Sequence, residues 1–136
     1  VCAMIGLLLI THGTFGGSLI QNVCHVLNKR PPFLAQLGVA SQDDLPSVLP
    51  LARLLLAAVD AGDGVLILTD MLGATPANLA LQLLEPKRIE GVAGLNLPML
   101  LRALTYRNGD LATLLQKAVS GGCDGVTNMQ TTLTTN

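Results

Sequence analysis

The sequence predicts an α/β fold, an open and mainly parallel sheet flanked by helices on both faces, and three observations predict it. Unbroken apolar runs, Ile5–Ile10 and Val65–Leu68, read as strands covered on both sides, which is the setting of parallel strands. Stretches with apolar residues at helical spacing alternate with them. Hydrophobic residues make up 50% of the chain, charged residues 12% and aromatics 2%, which leaves the core to Leu, Val, Ile and Ala. The order βαβαβαβα and then αβ is that of right-handed crossovers. A chain of 136 residues fits one domain, expected over residues 1–130, with 131–136 as a polar, frayed tail. There is no internal repeat, linker or low-complexity segment.

The elements follow in order. Val1–Ile10 has no basic segment before it and no small-residue cleavage site after it, so it is expected as a strand ending at His12 rather than as a signal-peptide core. Leu19, Ile20, Val23, Cys24, Val26 and Leu27 define a helix from Phe15 to Asn28, and Pro31-Pro32 stop it. Phe33–Ala40 is the second strand. Leu45–Ala61 is helical, with Pro46 and Pro50 placing its regular part from Ser47 onward. After the turn Ala61–Gly64, the third strand Val65–Thr69 runs straight into Asp70. A third helix starts at Pro76 and ends before Glu85-Pro86; Ile89–Leu95 is a fourth strand; Met99–Arg107 is a helix introduced by Asn96 and Pro98. Leu111, Leu114, Leu115, Ala118 and Val119 mark a fifth helix closed by Gly121-Gly122, and Cys123–Met129 is expected as a last short strand.

Several function classes drop out. The net charge is −1 and the basic residues are scattered, so nucleic-acid binding has neither its electrostatic footprint nor its aromatic platforms. Every apolar run is shorter than the ~20 residues a membrane span needs, and a soluble protein is expected. The three cysteines, Cys2, Cys24 and Cys123, lack metal-type or redox-type spacing and are expected as small buried hydrophobes in a reducing cytoplasm. With two histidines and no cysteine cluster, no metal or cofactor is expected. Gly13–Ser18 is neither a P-loop nor Gly-x-Gly-x-x-Gly. No Gly-x-Ser-x-Gly elbow supports a hydrolase triad.

What remains is chemistry at two strand ends. If those strands are parallel neighbours, His12 and Asp70 emerge at one rim of the sheet, where α/β folds hold their ligands. A neutral imidazole can accept and pass on a phosphoryl group near neutral pH, provided one ring nitrogen is free and the other is held. A carboxylate is a good holder, and Asp70 is the candidate. Thr75, just before Pro76, and the amides from Gly13 to Gly17 could meet the phosphoryl oxygens. Phe15, Met71 and Leu72 are candidates for an apolar docking rim, although Phe15 fits core packing equally well. His25, mid-helix, reads as structural or surface. The residues do not fix which ring nitrogen carries phosphate.

Three segments then carry a resemblance: Ile10-Thr-His-Gly13, Leu68-Thr-Asp-Met-Leu-Gly-Ala-Thr-Pro-Ala-Asn78 and Val92-Ala-Gly-Leu-Asn-Leu-Pro-Met-Leu100. In order and spacing they resemble the IIA components of the mannose-type branch of the phosphoenolpyruvate-dependent sugar phosphotransferase system, over roughly residues 4–128. The resemblance implies that His12 receives phosphoryl from the histidine-containing phosphocarrier protein (HPr) and passes it to a IIB component, with IIC and IID components as the only link to a membrane. Asp70 is then the partner of His12, and Thr75 stands where the family usually has serine. It also implies a cytoplasmic homodimer with the terminal strand, Cys123–Met129, exchanged as an antiparallel edge strand. Two departures bear on the site: the family's Gly-Gly-Ser-Pro is Gly73-Ala-Thr-Pro76, and its aromatic between Asp and the glycines is Leu72. Alternatives are a phosphoryl donor module for a dihydroxyacetone kinase, a regulator read through its phosphorylation state, or a binding domain without catalysis.

Overall fold

The computed structural model describes residues 3–134. Four parallel strands form one sheet: β1 (Gly6–His12), β2 (Leu34–Val39), β3 (Val65–Thr69) and β4 (Ile89–Ala93), in the order β2-β1-β3-β4. Five helices connect and cover them: α1 (Phe15–Leu27), α2 (Leu45–Val59), α3 (Thr75–Leu81), α4 (Leu97–Tyr106) and α5 (Leu111–Asp124). Alternate residues of β1 face opposite layers. Leu7 and Leu9 pack with Leu66 and Leu68 under α1, α4 and α5, while Leu8 and Ile10 pack with Ile67 under α2 and α3. The chain leaves β1 sideways to β2 with its helix on one face, then returns to β3 and on to β4 with helices on the other. All three crossovers therefore share one hand, and the strand order reverses direction at β1.

That reversal positions the site. Between the carboxyl ends of β1 and β3 the connecting helices depart to opposite faces and leave a crevice. The register pairs Ile10 with Thr69 and His12 with Val39, so His12 and Asp70 reach the crevice from adjacent strands. β1 is buried along Gly6–Thr11 and exposed only at His12.

The opposite end of the sheet is held by Arg107. Its side chain is buried, and Nε, Nη1 and Nη2 donate to the carbonyls of Ile5 (3.0 Å), Pro32 (2.7 Å) and Phe33 (2.7 Å). One guanidinium thus ties the end of α4 to the entries of β1 and β2. Burial pulls its pKa down to about 10, which leaves it charged at neutral pH.

Four expectations are corrected. α2 starts at Leu45 as expected but is regular from there rather than from Ser47, because Asp44 accepts the Ser47 amide at 3.0 Å and Pro46 needs no partner in the first turn, so Pro50 lies inside the helix and not in its first turn. Gly121-Gly122 do not close α5, which continues to Asp124. A Cβ on Gly121 would lie 2.8 Å from the Arg102 Cβ, and one on Gly122 would lie 2.7 Å from the Met99 Cε. These glycines let α5 approach α4, and that packing outweighs their low helix propensity. Cys123–Met129 forms no strand in the single chain; it is the end of α5, a short irregular link, and the start of a 3-10 helix over Met129–Thr134. The antiparallel edge strand is therefore absent among the described residues, and β4 ends the sheet. Cys123 is exposed and Cys24 half-buried rather than both being core residues, while Cys2 lies outside the described residues.

Replacing Arg107 by Met keeps the apolar stem but removes the side-chain donor from the carbonyls of Ile5 and Pro32, while Phe33 O retains the Leu7 amide. Urea denaturation of Arg107→Met is expected to show a loss of at least about 2 kcal/mol relative to the unaltered protein.

Candidate phosphoryl-accepting site

His12 and Asp70 meet as the strand ends predict. Asp70 Oδ2 lies 2.7 Å from His12 Nδ1 and also accepts the His12 backbone amide at 3.0 Å. Its second oxygen, Oδ1, accepts the Met71 amide at 3.1 Å. One carboxylate therefore fixes both the backbone and the ring of His12. Burial works against its negative charge, but the His12 amide, the His12 ring and the charge that ring can carry outweigh it, so the carboxyl sits below its ordinary range.

An ionised carboxylate only accepts hydrogen bonds. Nδ1 must then carry the proton, and Nε2 is left with its lone pair free. The His12 side chain is 51% exposed and that of Asp70 16%. The imidazole stands in the open while the carboxylate that holds it is sheltered.

The surrounding loop is fixed by its own contacts. Gly13 has φ +50° and donates its amide to Val39 O at 3.0 Å. Gly13 thus supplies the turn after the strand, and its amide is spent on the sheet rather than left for phosphate. Gly38 on β2 makes room for this turn, since a Cβ there would lie 2.1 Å from Gly13 O. The Gly16 amide donates to the buried Thr11 Oγ1 at 2.8 Å. Among the described residues the first-turn amides of Phe15 and Gly17 have no acceptor.

Thr75 is the first residue of α3 and is exposed, with uncapped Ala74 before it. The docking candidates are all on the surface: Phe15 is 40% exposed, Met71 57% and Leu72 70%, so Phe15 is not a core residue. His25 lies exposed in the last turn of α1. Sequence reasoning missed Thr11, Gly38 and Val39 as parts of the site. Only Thr11 left a signal, as a polar residue ending an otherwise apolar strand. No group of three or more metal-ligating side chains exists among the described residues, nor any helix long and apolar enough to cross a membrane.

The sequence matches the EIIA-man family model, described as PTS system fructose IIA component, over residues 6–119. It is 39% identical over 74 residues to the PTS system mannose-specific EIIAB component of Escherichia coli K12, an alignment covering 52% of this chain and 23% of that protein. The chain thus spans less than a quarter of the curated relatives it matches. The fold superposes on the crystal structure of phosphotransferase system component EIIA from Streptococcus agalactiae with a TM-score of 0.83 at 22% identity, covering 94% of this chain and 99% of that one. The mannose/sorbose specific IIA subunit from Enterococcus faecalis gives 0.79 at 25% identity, covering 93% and 95%.

The lowered carboxyl of Asp70 sets a pH dependence. A carboxylate depressed in the folded state contributes stability above its unfolded value near 3.8, and that contribution is lost as pH falls through the folded value. Urea denaturation from neutral pH down to about pH 3 should show the advantage of the unaltered protein over Asp70→Asn shrinking at the acid end.

Proposed function

The chain belongs to the EIIA-man family of phosphotransferase-system IIA components, and on that premise we propose that it carries phosphoryl groups on His12 Nε2, taking them from HPr and passing them to a IIB component. The observation that carries this reading is the 2.7 Å bond from His12 Nδ1 to Asp70 on a half-exposed ring. It supports a single tautomer with the nucleophilic nitrogen facing solvent, where a partner protein can present its phosphohistidine.

In the transfer, the Nε2 lone pair forms the new P–N bond while the bond from phosphorus to the donor's ring nitrogen breaks, returning that electron pair to the donor. His12, now bearing phosphoryl on Nε2 and a proton on Nδ1, is an imidazolium. The Asp70 carboxylate balances its charge without taking the proton. Transfer onward to IIB reverses these bond changes. The phosphoryl oxygens meet the free amides at the start of α1 and the Thr75 hydroxyl at the start of α3, where the helix dipole favours negative charge.

Phe15, Met71 and Leu72 form an apolar rim beside a donor and acceptor that are both proteins, which suits a small and transient interface. The same logic supports a cytoplasmic location, with the membrane reached only through other components. Val126, Met129 and Leu133 are exposed, and Val126 lines a cleft with Val92 and Ala93 of the edge strand β4, which supports a homodimer in which this segment meets a second copy.

Incubation with phosphoenolpyruvate, enzyme I and HPr should give acid-labile, alkali-stable label that disappears in His12→Ala, and ³¹P NMR should assign it to Nε2. Label that persists in His12→Ala, or that resists acid, rejects the reading. Asp70→Asn is expected to slow uptake about a hundredfold, as misorientation of a reacting group does. Leu72→Asp, at an exposed position, should raise the KM for phosphorylated HPr while changing kcat little.

A further inference from the structure

α1 starts without the help the other long helices receive. Asp44, Asn96 and Asp110 cap α2, α4 and α5 by accepting the amides of Ser47, Met99 and Thr113. Thr14, the N-cap residue of α1, makes no side-chain cap hydrogen bond. The task falls to the preceding strand, because Thr11 Oγ1 accepts the Gly16 amide at 2.8 Å in a site closed to solvent. The fit is tight: a Cβ on Gly16 would lie 2.8 Å from that same oxygen. A strand hydroxyl and a helix glycine are thus fitted to each other across the turn that carries His12.

Resting on the phosphoryl-carrier reading, we propose that Thr11 is a positioning residue that fixes the first turn of α1 relative to His12. Thr11 is fully buried and touches neither the phosphoryl group nor a partner. Its oxygen takes the second amide of the helix, and the Gly13 amide is taken by Val39 O. The amides of Phe15 and Gly17, on either side of Gly16, remain free among the described residues. Where they sit relative to Nε2 depends on the Thr11–Gly16 bond. Without it, the first turn can pivot about Gly13 while His12 stays bonded to Asp70.

Thr11→Val preserves shape and removes the acceptor, while Thr11→Ser restores it. In rapid-quench transfer from phosphorylated HPr, Thr11→Val is expected to lower kcat about tenfold or more with KM nearly unchanged. Thr11→Ser is expected to recover most of the rate. In ¹⁵N NMR spectra, inorganic phosphate should shift the Phe15 and Gly17 amides in the unaltered protein and in Thr11→Ser, and lose that effect in Thr11→Val. Should Thr11→Val not fold, Gly16→Ala drives a methyl against the same oxygen and is expected to show the same fall in kcat. A Thr11→Val protein that transfers at the normal rate, or that changes KM alone, overturns the inference while leaving the carrier reading intact. An unaltered protein that takes no label overturns both.

Discussion

Everything at the rim depends on one carboxylate serving two donors of the same residue. Asp70 Oδ2 holds the His12 amide and the His12 ring together, so the imidazole cannot rotate without giving up a bond made at the end of a buried strand. A histidine on a flexible loop would need ordering before each transfer that the proposed function asks of it. His12 has that order built in, because β1 and β3 are hydrogen-bonded neighbours in fixed register. The topology supplies the rest: a strand order that reverses at β1 leaves open the crevice into which both side chains project.

The two ends of the sheet use opposite electrostatic solutions. At the rim, an anionic carboxylate is sheltered and the imidazole is exposed, so charge can appear on the ring with its counter-charge already in place. At the far end, the Arg107 charge is buried against three carbonyls and ties chain entries together. The first arrangement keeps a group available for reaction. The second removes a group from solvent to secure a fold that has few aromatics to fill its core.

Much of this was legible in the sequence because apolar runs and strand-end polar residues are local signals. The run into His12 and the run into Asp70 needed only adjacency to become a site, and parallel topology makes adjacency the simplest outcome. What was not legible depends on contacts distant in sequence. Gly121-Gly122 read as a helix stop, since in isolation glycine weakens a helix, yet their lack of side chains is what lets α5 meet Met99 and Arg102 of α4. Cys123–Met129 does not pair with the free edge of β4, because α5 continues through Cys123 to Asp124 and an irregular link follows it. Gly13 looked like a phosphate donor until β2 brought Val39 O to its amide. Thr11 showed only as a polar residue at the end of an apolar run and Gly38 not at all, because each acts on a partner that only the folded sheet delivers.

The pattern of caps separates stability from function within one small domain. Replacing a good N-cap by alanine costs a helix about 1 kcal/mol, so a fold selected for stability alone would cap all five helices. Three are capped by Asp or Asn, and the two left without a side-chain cap at their own N-cap residue are α1 and α3, the helices that follow the strands bearing His12 and Asp70. A capping carboxylate at either place would occupy the amides and set a negative charge where the proposed carrier function brings a phosphoryl group. Ala74 and Thr14 leave that ground clear, and local rules of helix design are broken where chemistry requires it. Thr11 meets the structural need from below, out of reach of any phosphoryl group, and so allows α1 to be both anchored and open.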